Sequence, residues 1–303
     1  MILDWFRDHA SQFTGSLHFD EPLARHTYYR IGGPAALIAV PKSVDDLRWL
    51  YRGIQATSVP HFILGAGSNL LASDQGYAGL AIKMTRLDLS VEMSSPGMIR
   101  TGASVAISSL LRRAGTEGWK GFELWTGIPG SIGGAVAMNA GTHLGEARDI
   151  AHTVEAFSFK TGELLRFEGS ELKFEYRKNL FLPEDTVVVG ASWRVTLDEP
   201  SKVQAIISET LARRKASQPI DYPSCGSVFK NPKSHGLHAW QVIERIGLRG
   251  HRIGDAEFSS KHCNFIVNLD AATSADVKAL IDLAKARARE QLGIELEEEV
   301  KYL

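Results

Sequence analysis

GFELWTGIPGSIGGAVAMNAG, running from Gly121 to Gly141, decides how this sequence is read. It holds Gly127, Gly130, Gly133, Gly134 and Gly141 with Pro129 and Ser131 among them, inside apolar and aromatic flanks. Glycine serves where backbone must come close to a ligand or take a positive φ. A run of N–H groups without side chains makes a nest for an anion such as a pyrophosphate. Glycine content alone favours tight turns between buried strands. A second glycine turn, Gly65-Ala66-Gly67-Ser68-Asn69, follows the apolar run Phe62-Ile63-Leu64 and shifts that balance. Two such loops can hold one long dinucleotide.

The second loop is no Rossmann fingerprint. Its sixth position is Leu70 rather than glycine, and Ala72 to Gly79 is too polar for the helix that fold requires. Leu80-Ala81-Ile82 reads as a strand instead, so the order here is strand, loop, strand.

The remaining chain is that of a globular protein. Its 303 residues suggest two domains, and a net charge of −1 argues against a nucleic-acid partner. Cys225 and Cys263 are the only cysteines, too few for a disulfide framework, and read as reduced thiols of a cytoplasmic protein. The N-terminus carries Asp4, Arg7 and Asp8 and is no signal peptide; no run is long enough to span a membrane.

Periodicity predicts an amphipathic helix over residues 2–13, a helix from Ser43 to Ala56 with Ser43 and Asp46 as a capping-box variant, and one over 107–116. Strands are expected at 99–103, 152–159, 163–167 and 187–197, with a polar turn over Phe174–Asn179. A helix over 202–215 ends in Arg213-Arg214-Lys215, and Gln218–Pro223 follows as a boundary segment. Ser274–Leu292 reads as a long helix and Ile294–Leu303 as a strand.

In order, Tyr29-Arg30-Ile31-Gly32-Gly33-Pro34, the Gly65–Leu71 turn, Gly127–Gly134, Met138–Gly141, Tyr176-Arg177, Gly226–Pro232 and the Leu296…Glu299-Val300 ending resemble the UDP-N-acetylenolpyruvoylglucosamine reductases. The resemblance covers residue 20 to the C-terminus. Each motif alone is weak, and jointly they are specific. The compact 176–227 region is similar to the shorter subtype of that family, while Thr142-His143-Leu144 stands where many members have Ala-Tyr-Gly.

The resemblance implies an α+β fold: a two-subdomain FAD-binding part of vanillyl-alcohol-oxidase type over 20–198 (subdomains 20–83 and 84–198) and a C-terminal substrate domain over 199–303. The last strand is a candidate to return to the FAD part. Pro34 stands where covalently flavinylated relatives carry histidine, so non-covalent FAD is expected, with NADPH as co-substrate. The flavin residues implied are Arg30, Gly65, Ala66, Gly67, Ser68, Asn69, Gly127, Pro129, Gly130, Ser131, Gly134, Asn139 and Gly141. Arg177, Ser227 and Glu299 become catalytic. Tyr176, Arg213, Lys230, Asn231 and Lys261 become ligands of a UDP-sugar, the basic ones assigned to its diphosphate from charge and proximity in sequence. A monomer without metal, membrane or nucleic-acid partner is expected.

Two rivals stand beside this reading. One is a flavin-free nucleotide-binding module in which Arg177 and Glu299 form an ordinary ion pair. The other is an FAD oxidase acting on an alcohol.

Overall fold

The structure is a computed structural model that describes residues 3–232 and 236–303. The chain forms two compact units. The first comprises Met1–Phe19, Leu37–Ala66 and Gly79–Ala212; the second comprises Asp20–Ala36, Gly67–Ala78 and Arg213–Leu303. Two segments expected in the FAD part, around Tyr29 and Leu71, therefore belong with the C-terminal residues. Packing is the reason: Tyr29, Ile31 and Leu71 are buried in one core with Val228, Phe258, Ile281 and Val300. The division between the two compact units after Ala212 falls inside the helix Pro200–Ser217.

In the first unit, Leu164–Glu168, Ala151–Ser158, Thr186–Arg194, Met98–Gly102 and Val91–Ser95 form a five-stranded antiparallel sheet in that order. Helix Ile107–Glu117 closes on Gly118, whose φ of 71° is the left-handed stop that glycine adopts without cost. This helix, the aromatic run Phe122–Trp125 and the sheet share a core. Trp125 and Trp193 meet edge to face at 4.9 Å, and each satisfies its indole, Trp193 on the Thr101 hydroxyl and Trp125 on the Ala140 carbonyl. Burying large side chains of this kind is worth about 1.5–3 kcal/mol each. Trp125 thus ties the far end of the glycine stretch to the core.

A four-stranded sheet has the order Ser16–Pro22, Pro34–Val40, Tyr77–Lys83, His61–Leu64. Its last two strands are parallel, with His61 opposite Leu80, so the Gly65–Asn69 turn opens a crossover that contains no helix. That is the strand–loop–strand arrangement expected from sequence. Helix Val44–Thr57 begins on Ser43, whose hydroxyl accepts the Asp46 N–H at 3.1 Å. The capping box is only half made, because the buried Asp46 carboxylate turns to Thr14 and to the Lys42 N–H instead.

The expected helix over residues 2–13 is shorter, spanning Asp4–Asp8 before a turn of 3₁₀ helix at Ala10–Gln12; Ile2 lies outside the described residues. The break lets Phe13 reach the Trp49 ring at 4.7 Å.

In the second unit, Arg252–Ile253, Ala256–Phe258 and Ile266–Asn268 form a small antiparallel sheet. Helices Ala239–Arg245 and Ser274–Leu292 share its core. The C-terminal segment corrects the sequence reading. Ile294, Leu296 and Val300 are buried as the alternation requires, yet only Lys301–Tyr302 is regular strand, paired in parallel with Leu70–Leu71. Upstream of it the chain spends its hydrogen bonds on residues 228–230. Tyr302, read as apolar and inward, is 45% exposed.

Candidate active site

In the first unit the glycine stretch is strapped to the segment after Gly102. Ile107 N donates to Gly130 O, Ile132 N to Val105 O and Gly133 N to Ala103 O, at 2.9–3.0 Å. Gly127 and Gly130 take φ of 75° and 143°, which a side chain would strain. Ser131 precedes the short helix Ile132–Ala137 but makes no capping bond to it.

Whether bare backbone faces a ligand here is tested by adding a Cβ. At Gly65 and at Gly134, chain neighbours and the helix's own backbone aside, the one atom among the described residues within 4 Å of it would be the Ser131 hydroxyl, at 3.7 and 3.8 Å. Neither glycine is required by a close contact of this kind, and both lie against the Ser131 hydroxyl. Such a cradle fits a flat, phosphate-bearing cofactor. Gly67 and Gly141 differ. A Cβ would meet His26 O at 2.2 Å from Gly67 and Gly145 O at 2.1 Å from Gly141, so the fold itself demands those glycines.

Gly141–Thr142 and Gly145–Glu146 form a hairpin that turns through His143 and Leu144, which places the unusual Thr-His-Leu. Asn139, expected at the flavin, has a fully buried side chain whose donors go to Glu146 Oε2 and Glu175 O, both at 2.9 Å. Its oxygen accepts the Arg148 N–H at 3.0 Å. Its side chain is thereby committed within the protein.

Tyr176 and Arg177 are the two-residue turn of a hairpin, Phe174–Glu175 with Lys178–Asn179. Arg177 has a φ of 56°. Its guanidinium donates to Gly141 O at 3.1 Å, faces Glu146 Oε1 at 3.5 Å and lies 4.8 Å from the Tyr176 ring centre. Sequence reasoning missed Glu146. The signal available was Glu146-Ala147-Arg148-Asp149, a reciprocal capping pair with Glu146 Oε accepting the Asp149 N–H.

In the second unit, Ser227 and Glu299 come from neighbouring segments. Glu299 N donates to Val228 O at 2.8 Å, Phe229 bridges antiparallel to Glu298, and Lys230 N donates to Glu297 O. A pairing of residues 228–230 with 297–299 sets Ser227 beside the C-terminal glutamates, although the two are separated by most of a domain in sequence. Both residues are part-exposed. Asn69, assigned to the flavin loop, donates its amide to Glu299 O at 3.0 Å, and Lys301 N returns a bond to Asn69 O. Arg30 is exposed with a φ of 57°.

The expected diphosphate ligands are engaged within this unit. Lys230 pairs with Glu297, and Lys261 Nζ caps the C-terminal end of the Pro200–Ser217 helix at Lys215 O, 2.5 Å away. The Asn231 side chain accepts the Ala239 N–H that opens the next helix. The Arg213 carbonyl accepts the Ser217 hydroxyl. Of these residues Lys261 lies at the C-terminal end of that helix, while Lys230 is held by Glu297.

The comparisons agree with this geometry. Residues 35–168 match the FAD binding domain family, and residues 218–303 match the C-terminal domain of UDP-N-acetylenolpyruvoylglucosamine reductase. A protein of that name from Heliobacterium modesticaldum is 40% identical over 96% of this chain and 92% of its own length. The chain belongs to the UDP-N-acetylenolpyruvoylglucosamine reductase family. A second relative so named, from Trichlorobacter lovleyi, is 39% identical over 100% of this chain and 95% of its own. The solved reductase of Thermus caldophilus superposes with a TM-score of 0.80 at 33% identity, covering 95% of this chain and 98% of that one.

With that membership the chain is an FAD-dependent oxidoreductase of peptidoglycan precursor synthesis, with NADPH as reductant. The α+β fold with an FAD-binding part is as expected. Among the described residues no helix is long and apolar enough to cross a membrane.

Proposed function

We propose that this chain carries out the NADPH-dependent reduction of UDP-N-acetylglucosamine enolpyruvate to UDP-N-acetylmuramate with Arg177, Ser227 and Glu299 at the reacting atoms. FAD, held non-covalently, supplies the hydride it has taken from NADPH. Gly65, Ala66, Gly127, Gly130, Ser131 and Gly134 offer it bare backbone and one hydroxyl. The observation that carries the residue assignment is the pairing of Val228 with Glu299, which supports a joint action of Ser227 and Glu299 on one substrate group.

A hydride added to the terminal methylene leaves negative charge on the adjacent carbon and its carboxylate. Arg177 meets that carboxylate with a fixed fork of donors, an interaction that strengthens as charge develops. Glu299, protonated beside the substrate, donates a hydrogen bond to the enolate oxygen. Ser227 then gives its hydroxyl proton to the adjacent carbon and completes the reduction. Tyr176 covers the Arg177 guanidinium, and Arg213, Lys230, Asn231 and Lys261 are proposed for the sugar nucleotide. The flavin part is proposed to span 20–198 and the substrate part 199–303, the units described above qualifying that division at Asp20–Ala36 and Gly67–Ala78. A cytoplasmic monomer completes the reading, supported by two free buried thiols and a net charge of −1.

An absorbance spectrum followed by anaerobic NADPH reduction and re-oxidation tests this. The flavin bands are expected to bleach with NADPH and return on adding the enolpyruvyl substrate. A colourless protein, or a reduced flavin that only oxygen re-oxidises, defeats the proposal.

A further inference from the structure

Arg177 is held in an unusual state. Its left-handed φ belongs to the two-residue turn between Glu175 and Lys178, and the surroundings of that turn fix its side chain. Those surroundings converge on one carboxylate. Glu146 Oε1 faces Arg177 NH1 at 3.5 Å, while Oε2 accepts from Asn139 Nδ2 at 2.9 Å and meets Arg148 Nε at 3.1 Å. The same Asn139 amide donates to Glu175 O, two residues before Arg177, so the hub grips both the guanidinium and the backbone that presents it.

Glu146 is itself fixed. Its N–H donates to Asp149 Oδ2 at 2.8 Å, and Ala147 N donates to Ala140 O at 2.9 Å. The Glu146 and Arg177 side chains are 13% and 18% exposed, so this pair is shielded from the screening that weakens surface ion pairs. One anion is shared by two arginines, of which Arg148 is half in solvent. Glu146 therefore meets Arg177 at Nη1 and orients the guanidinium.

We infer that Glu146 is a positioning residue for the substrate half-reaction, acting through Arg177 by fixing the guanidinium against Gly141 O and the Tyr176 ring. This rests on the proposed role of Arg177 toward the substrate carboxylate. A carboxylate that orients an arginine matters because misplacement of a reacting or binding group by about 1 Å costs up to ~10²-fold in rate.

The test uses the FAD-loaded enzyme and separates the half-reactions by stopped flow. Glu146→Gln keeps an acceptor for Asn139 and removes the charge facing Arg177. It is expected to keep its flavin and its rate of reduction by NADPH, while re-oxidation by the enolpyruvyl substrate slows roughly 10- to 100-fold. Arg177→Ala with Glu146→Gln is expected to be no slower than Arg177→Ala alone, because a residue acting through another adds nothing once that partner is gone. Should Glu146→Gln fail to hold flavin, Glu146→Asp keeps the charge and shortens its reach, and is expected to show the same split.

Equal slowing of both half-reactions, an additive double variant, or re-oxidation within twofold of wild type overturns the inference. If Arg177→Ala itself re-oxidises normally, the role of Arg177 falls first; if Arg177→Ala is slow and Glu146→Gln is not, only the role of Glu146 falls.

Discussion

The side-chain amide of Asn69 donates to the backbone carbonyl of Glu299 at 3.0 Å, joining residues 230 positions apart in the chain. The carbonyl of Asn69 accepts the Lys301 N–H in return, so Asn69 holds the chain just after Glu299 while the Glu299 N–H is held by Val228 O. A position expected to serve the flavin thus supports a proposed catalytic carboxyl.

Asn69→Ala is expected to retain most of its FAD and to slow substrate re-oxidation by ~10-fold or more, since the lost bond frees Glu299 from its register. A lost hydrogen bond of this kind also lowers stability by about 1 kcal/mol. Stopped-flow traces with flavin content measured on the same sample check this. Loss of flavin with normal re-oxidation in what remains would return Asn69 to the cofactor.

Ser227→Ala separates the two half-reactions most sharply. Reduction of the flavin by NADPH needs no proton delivered to a sugar carbon and is expected to be unchanged. Re-oxidation is expected to fall by about 10²–10⁴-fold, the range for a lost general acid. Equal slowing of both steps would make the serine structural and leave the proton to Cys225 or a water.

Gly65→Val and Gly134→Val test the cradle around Ser131. The first atoms of each new side chain meet no backbone, so far-UV circular dichroism and Tm are expected to change little. Flavin should be absent, because the side chains occupy the approach to the backbone. Gly76→Val is the contrast: its Cβ would lie 2.0 Å from Pro34 O at a φ of 79°, and the protein is expected not to fold. Full flavin occupancy in Gly134→Val would reduce that glycine to a turn residue.

Burial pushes the Cys225 thiol up to about 12. A group whose folded pKa is raised binds its proton more tightly in the native state, so the native state gains stability below the unfolded pKa and loses it as pH rises. Stability is therefore expected to decline from about pH 9 toward pH 12, the unfolded thiol ionising near 8.5. The buried Tyr29 phenol, raised by burial and by Cys225, adds to the same slope at higher pH. Urea titrations across that range should show a shallower decline in Cys225→Ala. At pH 8 the native protein is expected to leave a thiol reagent unreacted until it is unfolded.

Much of this protein was legible in the linear chain because it is local. Gly118 and Gly293 end their helices at positive φ, Ser43 begins its own, and the runs read at 152–159 and 187–197 are the strands Ala151–Ser158 and Thr186–Arg194. Those choices depend on backbone sterics and on side chains three or four residues away. The family, and with it the flavin and the reaction, came from ordered motifs that each hold only a few residues. Tertiary structure decided which glycines are bare for a ligand and which are packed, since Gly65 and Gly67 look alike in sequence and differ only in what lies opposite their missing Cβ. It showed the Asn69 amide on Glu299 O and the Asn139 amide on Glu146 and Glu175, and it revealed Glu146 beside Arg177, because hydrogen bonds between residues far apart in sequence leave no periodic trace. The regular strand expected over Ile294–Leu303 shrank to two residues for the same reason: alternation sets which side chains are buried, while the partners of the backbone are settled only when distant segments meet.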